Sequence, residues 1–555
     1  MTSEKKEKVK QGFITGSLTS SAGIFVSKLI GMFYIVPFKQ IVGQTNMGYY
    51  SAAYTYYNLL LQICSAGLPF ATAAMIAKYV TKKDYKTVLL VRRLSTAILM
   101  VSGFVISILF MAISTPLARS VLGSQATDMD IEKMRNTFVI LALALYLIPL
   151  VYSYRGYYQG LKELKVYADS QIVEQLARVV SLLGIGAIVV YVFHFDRIWG
   201  IYAAVLGTSI GGMAALLHMM FFDKKHQPEI VEAARRQKTE TVDRKELFQE
   251  FISFSIPYFL VSVLGNAHTV INTQFFIPTA TSLGMKYKDA LLVYGIIETN
   301  CDKLTSIPQV LGTGFSSSIV PYMTVSLENK DWKALNRNIE DCLDIVLFIA
   351  VPICVSMASL AELIYYIMYG AGELSYGTIC LKWASLLGIT TTVATLCNSM
   401  MLTLHFRKES LIYMVIALGV KCLTFYPLMK YQGYTGSITS GVLYALTTVF
   451  LSLSKIKNKY DVHYHRIAKR FFRIIIASLA MNGVYVIWKL VGPSPASVSR
   501  LMALIQLAIV GIAGIAVYFW VAVKLRLPQS VFHTDGKAML RRLFRRNGKQ
   551  AAHAA

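Results

Sequence analysis

The sequence has few charged residues and lacks the short motifs that mark enzymes and metal sites. Only 15% of its 555 residues are charged, whereas 55% are hydrophobic, a composition unlike that of ordinary soluble proteins. It contains no HExxH motif, P-loop, nucleophile elbow or Cys/His metal spacing. We therefore expect neither an enzyme nor a resident metal ion.

Cysteine and acidic residues are scarce as well. Each of the seven cysteines lies in or beside an apolar segment, without a CxxC pair, so we interpret them as small hydrophobic core residues. Asp and Glu number 30, against 55 Lys and Arg. Such an excess of basic residues is typical of nucleic-acid-binding proteins, but its distribution along this chain indicates a membrane protein with no nucleic-acid partner.

Long apolar runs, in contrast, are abundant. About fourteen blocks of roughly 20 to 25 residues are each long enough to cross a hydrocarbon core of about 30 Å. They cover 13–36, 49–77, 94–113, 137–154, 167–193, 198–222, 251–278, 290–322, 342–368, 381–404, 411–429, 436–453, 472–490 and 501–523. The sequence therefore predicts an all-α polytopic membrane protein with about 14 transmembrane helices.

Basic residues between these blocks predict the orientation. The N-terminal segment, the even-numbered connections and the C-terminal tail contain 40 Lys and Arg residues, against 11 in the odd-numbered connections. By the positive-inside rule, we expect both termini in the cytoplasm. The largest inner connection separates six spans from eight, as in parallel repeats. The predicted parts are an N-lobe (1–222), a cytoplasmic linker (223–250), a C-lobe (251–458), a C-terminal pair of spans (459–525) and a basic cytoplasmic tail (526–555).

One predicted span carries a polar stripe. Gln171, Glu174, Gln175 and Arg178 recur at helical spacing, and Glu174 and Arg178 form an i, i+4 pair in the favoured orientation. A charge near the bilayer centre costs about 3 kcal/mol on insertion scales, so we expect this face to line a water-filled cavity. Arg178 is interpreted either as the structural partner of Glu174 or as a cavity cation.

Other charges lie inside predicted spans. Lys28, in the first span, is either a cavity ligand for an anion or a lysine that extends to the outer interface. Glu298, Asp302 and Lys303 cluster in the eighth span, where charges facing lipid are costly. Lys421, in the eleventh span, is a candidate partner for one of these acids.

Three segments resemble a known family. They are SKLIGMFYIVPFKQIVG, GYYSAAYTYYNLLLQICSAGLPFATAAMIAKY and RGYYQGLKELKVYADSQIVEQLAR. They are similar to the oligosaccharide-lipid flippases of the multidrug/oligosaccharidyl-lipid/polysaccharide (MOP) exporter superfamily, in the branch of stage V sporulation protein B and the MurJ-type lipid II flippases. The resemblance extends over nearly the whole chain.

The resemblance implies two six-helix lobes around a cationic cavity, with a C-terminal helix pair. It also implies export of an undecaprenyl-pyrophosphate-linked sugar from the inner to the outer leaflet of a bacterial plasma membrane, beside cell-wall synthesis machinery. Relatives line this cavity with basic residues in the first span, where Lys28 lies, and the charges inside the spans add Glu174, Arg178 and Lys303 as expected cavity residues. No cofactor is expected beyond Na⁺ or H⁺ coupling or the membrane potential, and the coupling candidates are Asn266, Asn272, Glu298 and Asp302.

Two alternatives belong to other functional classes. A multidrug exporter of the same superfamily would need unpaired carboxylates in the N-lobe, where Glu174 is the acid at membrane depth. A non-transporting scaffold for envelope assembly is the second alternative. Complementation of a cell depleted of its lipid II flippase separates both alternatives from the flippase.

The orientation is testable by cysteine labelling in intact cells, on a cysteine-free background. Cysteines at Thr239 and Asn547 are expected to be shielded from a membrane-impermeant thiol reagent, because the basic segments around them stay inside. A cysteine at Ser124, in an odd-numbered connection, is expected to react. Labelling at Thr239 in intact cells would contradict the orientation and the predicted direction of transport.

Overall fold

The part of the chain that the structure describes is built from α-helices. The structure is a computed structural model, and it describes residues 30–31, 34–65, 67–237 and 242–532. No β-strand occurs within these ranges. Most of the first predicted span, including Lys28, lies outside the described residues.

Eighteen α-helices follow one another along the described chain. They are α1 (Ile35–Val42), α2 (Gln44–Ser65), α3 (Leu68–Thr81), α4 (Tyr85–Leu122), α5 (Asp128–Gly160), α6 (Leu164–Ala187), α7 (Ile198–Arg236), α8 (Arg244–Ser282), α9 (Tyr287–Gly295), α10 (Asp302–Glu328), α11 (Trp332–Ser359), α12 (Ala361–Tyr369), α13 (Leu374–Thr403), α14 (Arg407–Gln432), α15 (Gly436–Tyr460), α16 (Tyr464–Val491), α17 (Arg500–Lys524) and α18 (Leu527–Phe532). π-Helical turns at Ile188–Val192 and Ile296–Cys301 extend α6 and connect α9 to α10.

These helices confirm the prediction of an all-α polytopic membrane protein. Ten helical stretches of the described residues are long and apolar enough to cross a membrane. The second to fourteenth predicted spans all fall on the helices. Some of the stretches are longer than one span, and the one at Arg407–Tyr460 covers two predicted spans.

Local sequence determines where several helices begin and end. Thr127 and Asp130 form a capping box that starts α5, and it satisfies backbone N–H groups that have no partner inside the helix. The second predicted span is broken at Gly67, whose φ of 78° lies in the left-handed region, and Pro69 follows in the first turn of α3. Glycine adopts that conformation without a side-chain clash. The break places irregular backbone beside the polar cavity described below.

The chain divides into two compact units, Met1–Gly295 and Ile296–Ala555. The division falls within the eighth predicted span, between α9 and the π-helical turn that follows it. In the first unit, α8 and α9 pack against α2. The lobe boundaries given by the sequence stay a prediction.

Part of the predicted linker 223–250 is helical, and hydrogen bonds hold it against the rest of the first unit. Helix α7 continues past residue 222, and Asp223 accepts a hydrogen bond of 2.6 Å from Arg92. Further along, Gln237 donates to the Asp84 carboxylate at 2.8 Å. Burial acts to raise the pKa of Asp84, but hydrogen bonds from Thr87 and then Gln237 outweigh it and lower the pKa. The chain beyond α7 is therefore held against the start of α4.

Helices α6 and α7 pack closely because α7 presents glycines to α6. A Cβ atom on Gly211 would lie 2.7 Å from the backbone oxygen of Glu174 and 3.0 Å from the Cβ atom of Arg178. One on Gly207 would lie 3.2 Å from the backbone oxygen of Arg178. Small residues allow such close approach between membrane helices. This packing positions the part of α6 that carries the polar stripe.

The close approach predicts different outcomes for two glycine substitutions. We expect Gly211→Ala to destabilise the protein by about 1–3 kcal/mol through overpacking, because the added methyl group meets backbone atoms. Gly184→Ala, on α6, is the matched control, since a Cβ atom there meets nothing within 4 Å. Thermal unfolding in detergent measures both. Equal melting temperatures for the two variants would contradict the packing argument.

Candidate functional site

The first unit contains a polar cavity of about 380 Å³ among helices that are otherwise apolar. Its wall is contributed by α2, α3, α5, α6 and α8, together with the break between α2 and α3. The lining residues are Gln62, Ser65, Gly67, Pro69, Phe70, Tyr152, Arg155, Gln159, Tyr167, Gln171, Glu174, Gln175 and Ser262. Amide, hydroxyl and charged groups together make this cavity suitable for a hydrated polar ligand.

The cavity lies beside the hairpin formed by α5 and α6. A tight turn at 161–163 joins the two helices, with Lys162 in the left-handed region at φ 67°. The two helices contact each other over only a short stretch, so a space opens between them beyond the turn. The structure brings Gln171, Glu174 and Gln175 to the wall of this space. Their role as substrate contacts stays a prediction.

An ion pair joins the two helices of the hairpin in the wall of the cavity. The Nη2 atom of Arg155 lies 2.8 Å from the Oε2 atom of Glu174, and its Nε atom donates to Ser170 Oγ at 2.9 Å. The Arg155 side chain is 5% exposed and that of Glu174 is 20% exposed. Both charges are therefore mostly withdrawn from water and satisfied by each other and by the hydroxyl group.

This pair corrects the predicted ion pair between Glu174 and Arg178, which is wrong. The i, i+4 spacing is present, but the Glu174 carboxylate is directed to Arg155 on α5. Arg178 instead stacks on an aromatic ring, with its guanidinium carbon 5.0 Å from the centroid of Tyr54. Its Nε atom is buried and has no hydrogen-bond partner among the described residues. Arg178 is not among the residues that line the cavity.

Aromatic residues surround the position of Arg178. The hydroxyl groups of Tyr34 and Tyr50 lie 2.9 Å apart, and the rings of Tyr50 and Tyr54 have centroids 4.4 Å apart. The Tyr54 hydroxyl is hydrogen-bonded to Thr208 on α7. A cation over the face of an aromatic ring is stabilised without a carboxylate, by about 2 kcal/mol or more when it is desolvated. This environment explains how Arg178 is retained at membrane depth.

Sequence reasoning missed Arg155. The residue lies in the RGYYQG segment, just after the predicted span 137–154 and outside every predicted span. Nineteen positions separate it from Glu174, and the pair forms only because the chain turns back between them. The segment's resemblance to known flippases marked the region but did not identify the pair.

In the second unit, the predicted charge cluster begins in the π-helical turn before α10. Lys421, on α14, is fully buried, and its ammonium group interacts electrostatically with Glu298. Asp302 is exposed and Lys303 is half-buried. Lys421 therefore interacts with Glu298, one of the acids that the sequence offered as its partner.

The two asparagines proposed for ion coupling lie on α8, in the first unit. Asn266 donates to the backbone oxygen of Ser262 in the preceding turn at 2.9 Å. Asn272 is 8% exposed. Their involvement in coupling, like that of Glu298 and Asp302, stays a prediction.

The pair between Arg155 and Glu174 predicts large effects for single substitutions. Glu174→Gln and Arg155→Gln each leave one charge without its partner, which we expect to cost about 3 kcal/mol. The exchange Arg155→Glu with Glu174→Arg is expected to recover part of that loss. Glu163→Gln, at the exposed turn of the same hairpin, is the control for removing an acid. Melting temperatures near that of the wild type in both single variants would show that the pair is dispensable.

Comparisons with known proteins agree with this architecture. Residues 13–327 match the polysaccharide biosynthesis protein family. The chain is 25% identical to lipid II flippase MurJ of Bacillus subtilis over 525 residues, which cover 93% of this chain and 96% of the relative. It is 22% identical to stage V sporulation protein B of the same organism over 363 residues, 65% of this chain and 68% of the relative.

Two solved structures share the fold. A lipid II flippase MurJ in an inward closed conformation superposes with a TM-score of 0.63 at 16% identity, covering 92% of this chain and 98% of the other. An inward-facing multidrug resistance MATE transporter of the MOP superfamily gives a TM-score of 0.59 at 13% identity, with coverage of 77% and 98%. The resemblance seen in the sequence is confirmed. This multi-pass membrane protein belongs to the polysaccharide biosynthesis protein family.

Proposed function

We propose that this protein is a flippase that moves an undecaprenyl-pyrophosphate-linked sugar from the inner to the outer leaflet of a bacterial plasma membrane by alternating access. The observation that carries the proposal is the polar cavity of the first unit, whose wall contains Arg155 among glutamine and tyrosine side chains. The full-length similarity to a lipid II flippase supports the substrate class. We expect transport without covalent chemistry.

The chemistry of such a substrate matches the cavity. A pyrophosphate linked to a sugar is anionic and strongly hydrated, so it needs a wet path with hydrogen-bond donors across the hydrocarbon. Gln62, Gln159, Gln171 and Gln175 supply amide groups that bond to sugar hydroxyls and phosphate oxygens alike. The prenyl chain is as apolar as the lipid tails, so it can remain in the bilayer while the headgroup crosses.

Arg155 is the phosphate contact that the geometry favours. Glu174 is held through one terminal nitrogen of the guanidinium and Ser170 through Nε, whereas a guanidinium carries five N–H donors. A phosphate group entering the cavity would share the guanidinium with Glu174 or displace it. Arginine also suits the paired oxygens of a phosphate better than a point charge does.

The driving force is part of the proposal. With both termini in the cytoplasm, the inside-negative potential favours outward movement of an anion by about 2.3 kcal/mol per charge per 100 mV. We further propose coupling to Na⁺ or H⁺ through Asn266, Asn272, Glu298 or Asp302, and the dependence of transport on each ion tests it. Membrane lipids and cell-wall synthesis proteins are the expected partners.

The ion pair disfavours the multidrug alternative. A cation exporter needs an acid that is free to bind its substrate or a proton, but Glu174 is engaged by Arg155 at 2.8 Å. The likeness to MATE transporters concerns the fold. Export of an organic cation from the same reconstituted vesicles would favour that alternative.

The proposed function is tested by rescue and by reconstitution. Expression in a bacterium depleted of its own lipid II flippase is expected to restore growth and the exposure of lipid II headgroups at the outer face. Reconstituted vesicles containing a lipid-linked oligosaccharide are expected to expose it on the opposite leaflet in a protein-dependent manner. Normal membrane insertion with neither activity would contradict the proposal.

Lys28 provides a second test, although it lies outside the described residues. If it binds the pyrophosphate, charge matters more than shape, and Lys28→Arg keeps much of the flipping activity. Lys28→Ala is then expected to lose most of the activity and Lys28→Glu to abolish it, because the new carboxylate repels the anion. Flipping in vesicles with equal amounts of each protein measures this. Equal export by the wild type and Lys28→Glu would remove Lys28 from the binding site.

A further inference from the structure

The polar cavity of the first unit carries one charge of each sign. Among its lining residues that the structure describes, Arg155 and Glu174 are the charged ones. An anion that enters and displaces Glu174 from Arg155 leaves the Glu174 carboxylate without its partner. Only 20% of the Glu174 side chain is exposed, and an unpaired charge that is mostly withdrawn from water is unfavourable. A ligand that brings only negative charge does not compensate for this loss.

The wall around Glu174 has the groups that bind an ammonium ion. Tyr167, Gln171, Glu174 and Gln175 all line the cavity, and their i, i+4, i+7 and i+8 spacing places them on one face of α6. The carboxylate and the amide carbonyl oxygens are hydrogen-bond acceptors, and an aromatic ring such as that of Tyr167 stabilises a cation on its face. Once Arg155 releases Glu174, this face of α6 suits an ammonium group.

The wall around Arg155 has the opposite polarity. Helix α3 begins beside it, because a Cβ atom on Gly156 would lie 2.8 Å from the backbone oxygen of Pro69, in the first turn of α3. Gly67 and Pro69 both line the cavity, so the positive end of the α3 dipole faces the same space as the guanidinium group. This side of the cavity favours an anion.

The two walls meet at the ion pair, which limits how far apart the charges of a ligand can lie. The Nη2 atom of Arg155 and the Oε2 atom of Glu174 are 2.8 Å apart, and Ser170 holds the guanidinium from a second direction at 2.9 Å. A ligand that replaces both halves of this contact must carry its anion and its cation close together. A sugar that bears both a phosphate and an amino group meets this condition.

We propose that the cavity selects lipid-linked glycans in which the sugar attached to the pyrophosphate carries a free amino group. The phosphate replaces Glu174 as the partner of Arg155, and the ammonium group replaces Arg155 as the partner of Glu174. Neither charge of the ligand suffices alone, because each would leave one member of the resident pair unpaired. The inference rests on the function proposed above and names the chemical class of its substrate.

The selection is tested with three synthetic lipids in reconstituted vesicles. Each is a polyprenyl-pyrophosphate-linked disaccharide. The first has a free amino group on the sugar next to the pyrophosphate, the second has the same group acetylated, and the third has its only free amine on an amino acid attached to the distal sugar. We expect the first lipid to be flipped about tenfold faster than the other two at subsaturating concentration, because its ammonium group donates hydrogen bonds to a charged acceptor.

Substitution of Glu174 tests which group recognises the amine. Glu174→Gln is expected to flip the free-amine and acetylated lipids at equal rates. Glu163→Gln removes an exposed acid from the turn of the same hairpin and is expected to keep the wild-type preference. If Glu174→Gln does not fold, Arg155→Gln/Glu174→Gln replaces it, because that variant leaves no charge of the pair behind.

A competition experiment with the wild type requires no substitution. Soluble glucosamine 1-phosphate carries the amine beside the phosphate and is expected to inhibit flipping about tenfold more strongly than N-acetylglucosamine 1-phosphate, since only the former supplies a charged donor. Glucosamine without phosphate is expected to inhibit as weakly as the acetylated compound, because it leaves Arg155 unpaired. Equal inhibition by the two phosphorylated compounds would contradict the selection.

The outcomes separate this inference from the proposed function. Equal flipping of the free-amine and acetylated lipids by the wild type would overturn the inference and leave the flippase function intact. Equal flipping of the first and third lipids would overturn the placement of the amine on the first sugar. A preference that persists in the folded Glu174 variant would overturn the role of Glu174. No flipping of any of the lipids by correctly inserted protein would contradict the proposed function, and the inference with it.

Discussion

A charged side chain within a membrane needs a counter-charge, an aromatic face or water, and this requirement organises the first unit. Arg155 and Glu174 satisfy each other at 2.8 Å across a helical hairpin. Without its partner, either charge would be buried and unpaired, and this would destabilise the protein because the surrounding apolar helices cannot replace the lost hydration. The hairpin turn, the break before α3 and the polar wall of the cavity all lie around this pair.

The pair depends in turn on how α6 is held. Glycines on α7 allow its backbone to approach α6 at the residues that carry the polar stripe, and this fixes the rotation of α6 about its axis. With that rotation, Gln171, Glu174 and Gln175 face the cavity, while Arg178 lies over the ring of Tyr54. Residues three or four apart on one helix can therefore have different environments, because the partners come from different neighbouring helices.

The sequence predicted the parts of this arrangement that depend on one segment at a time. Hydrophobic length located the spans. The polar face of α6 was also evident from its spacing. The partner of Glu174 was not, because helical periodicity describes neighbours on the same helix and carries no information on residues that meet through a turn.

Glu298 and Lys421 form an intermediate case. Their opposite charges lie in two different predicted spans, which suggested a pairing across helices. In the structure Lys421 is fully buried and interacts electrostatically with Glu298.

The arrangement in the first unit also has a consequence for the proposed transport. An unpaired arginine in a dry cavity would bind a pyrophosphate tightly, and a flippase must release its cargo at the opposite leaflet. If phosphate binds Arg155 as proposed and displaces Glu174, one charge-assisted contact replaces another, and the net free energy of binding is small. A paired arginine therefore recognises phosphate while keeping the complex reversible, as transport requires and as tight binding would prevent.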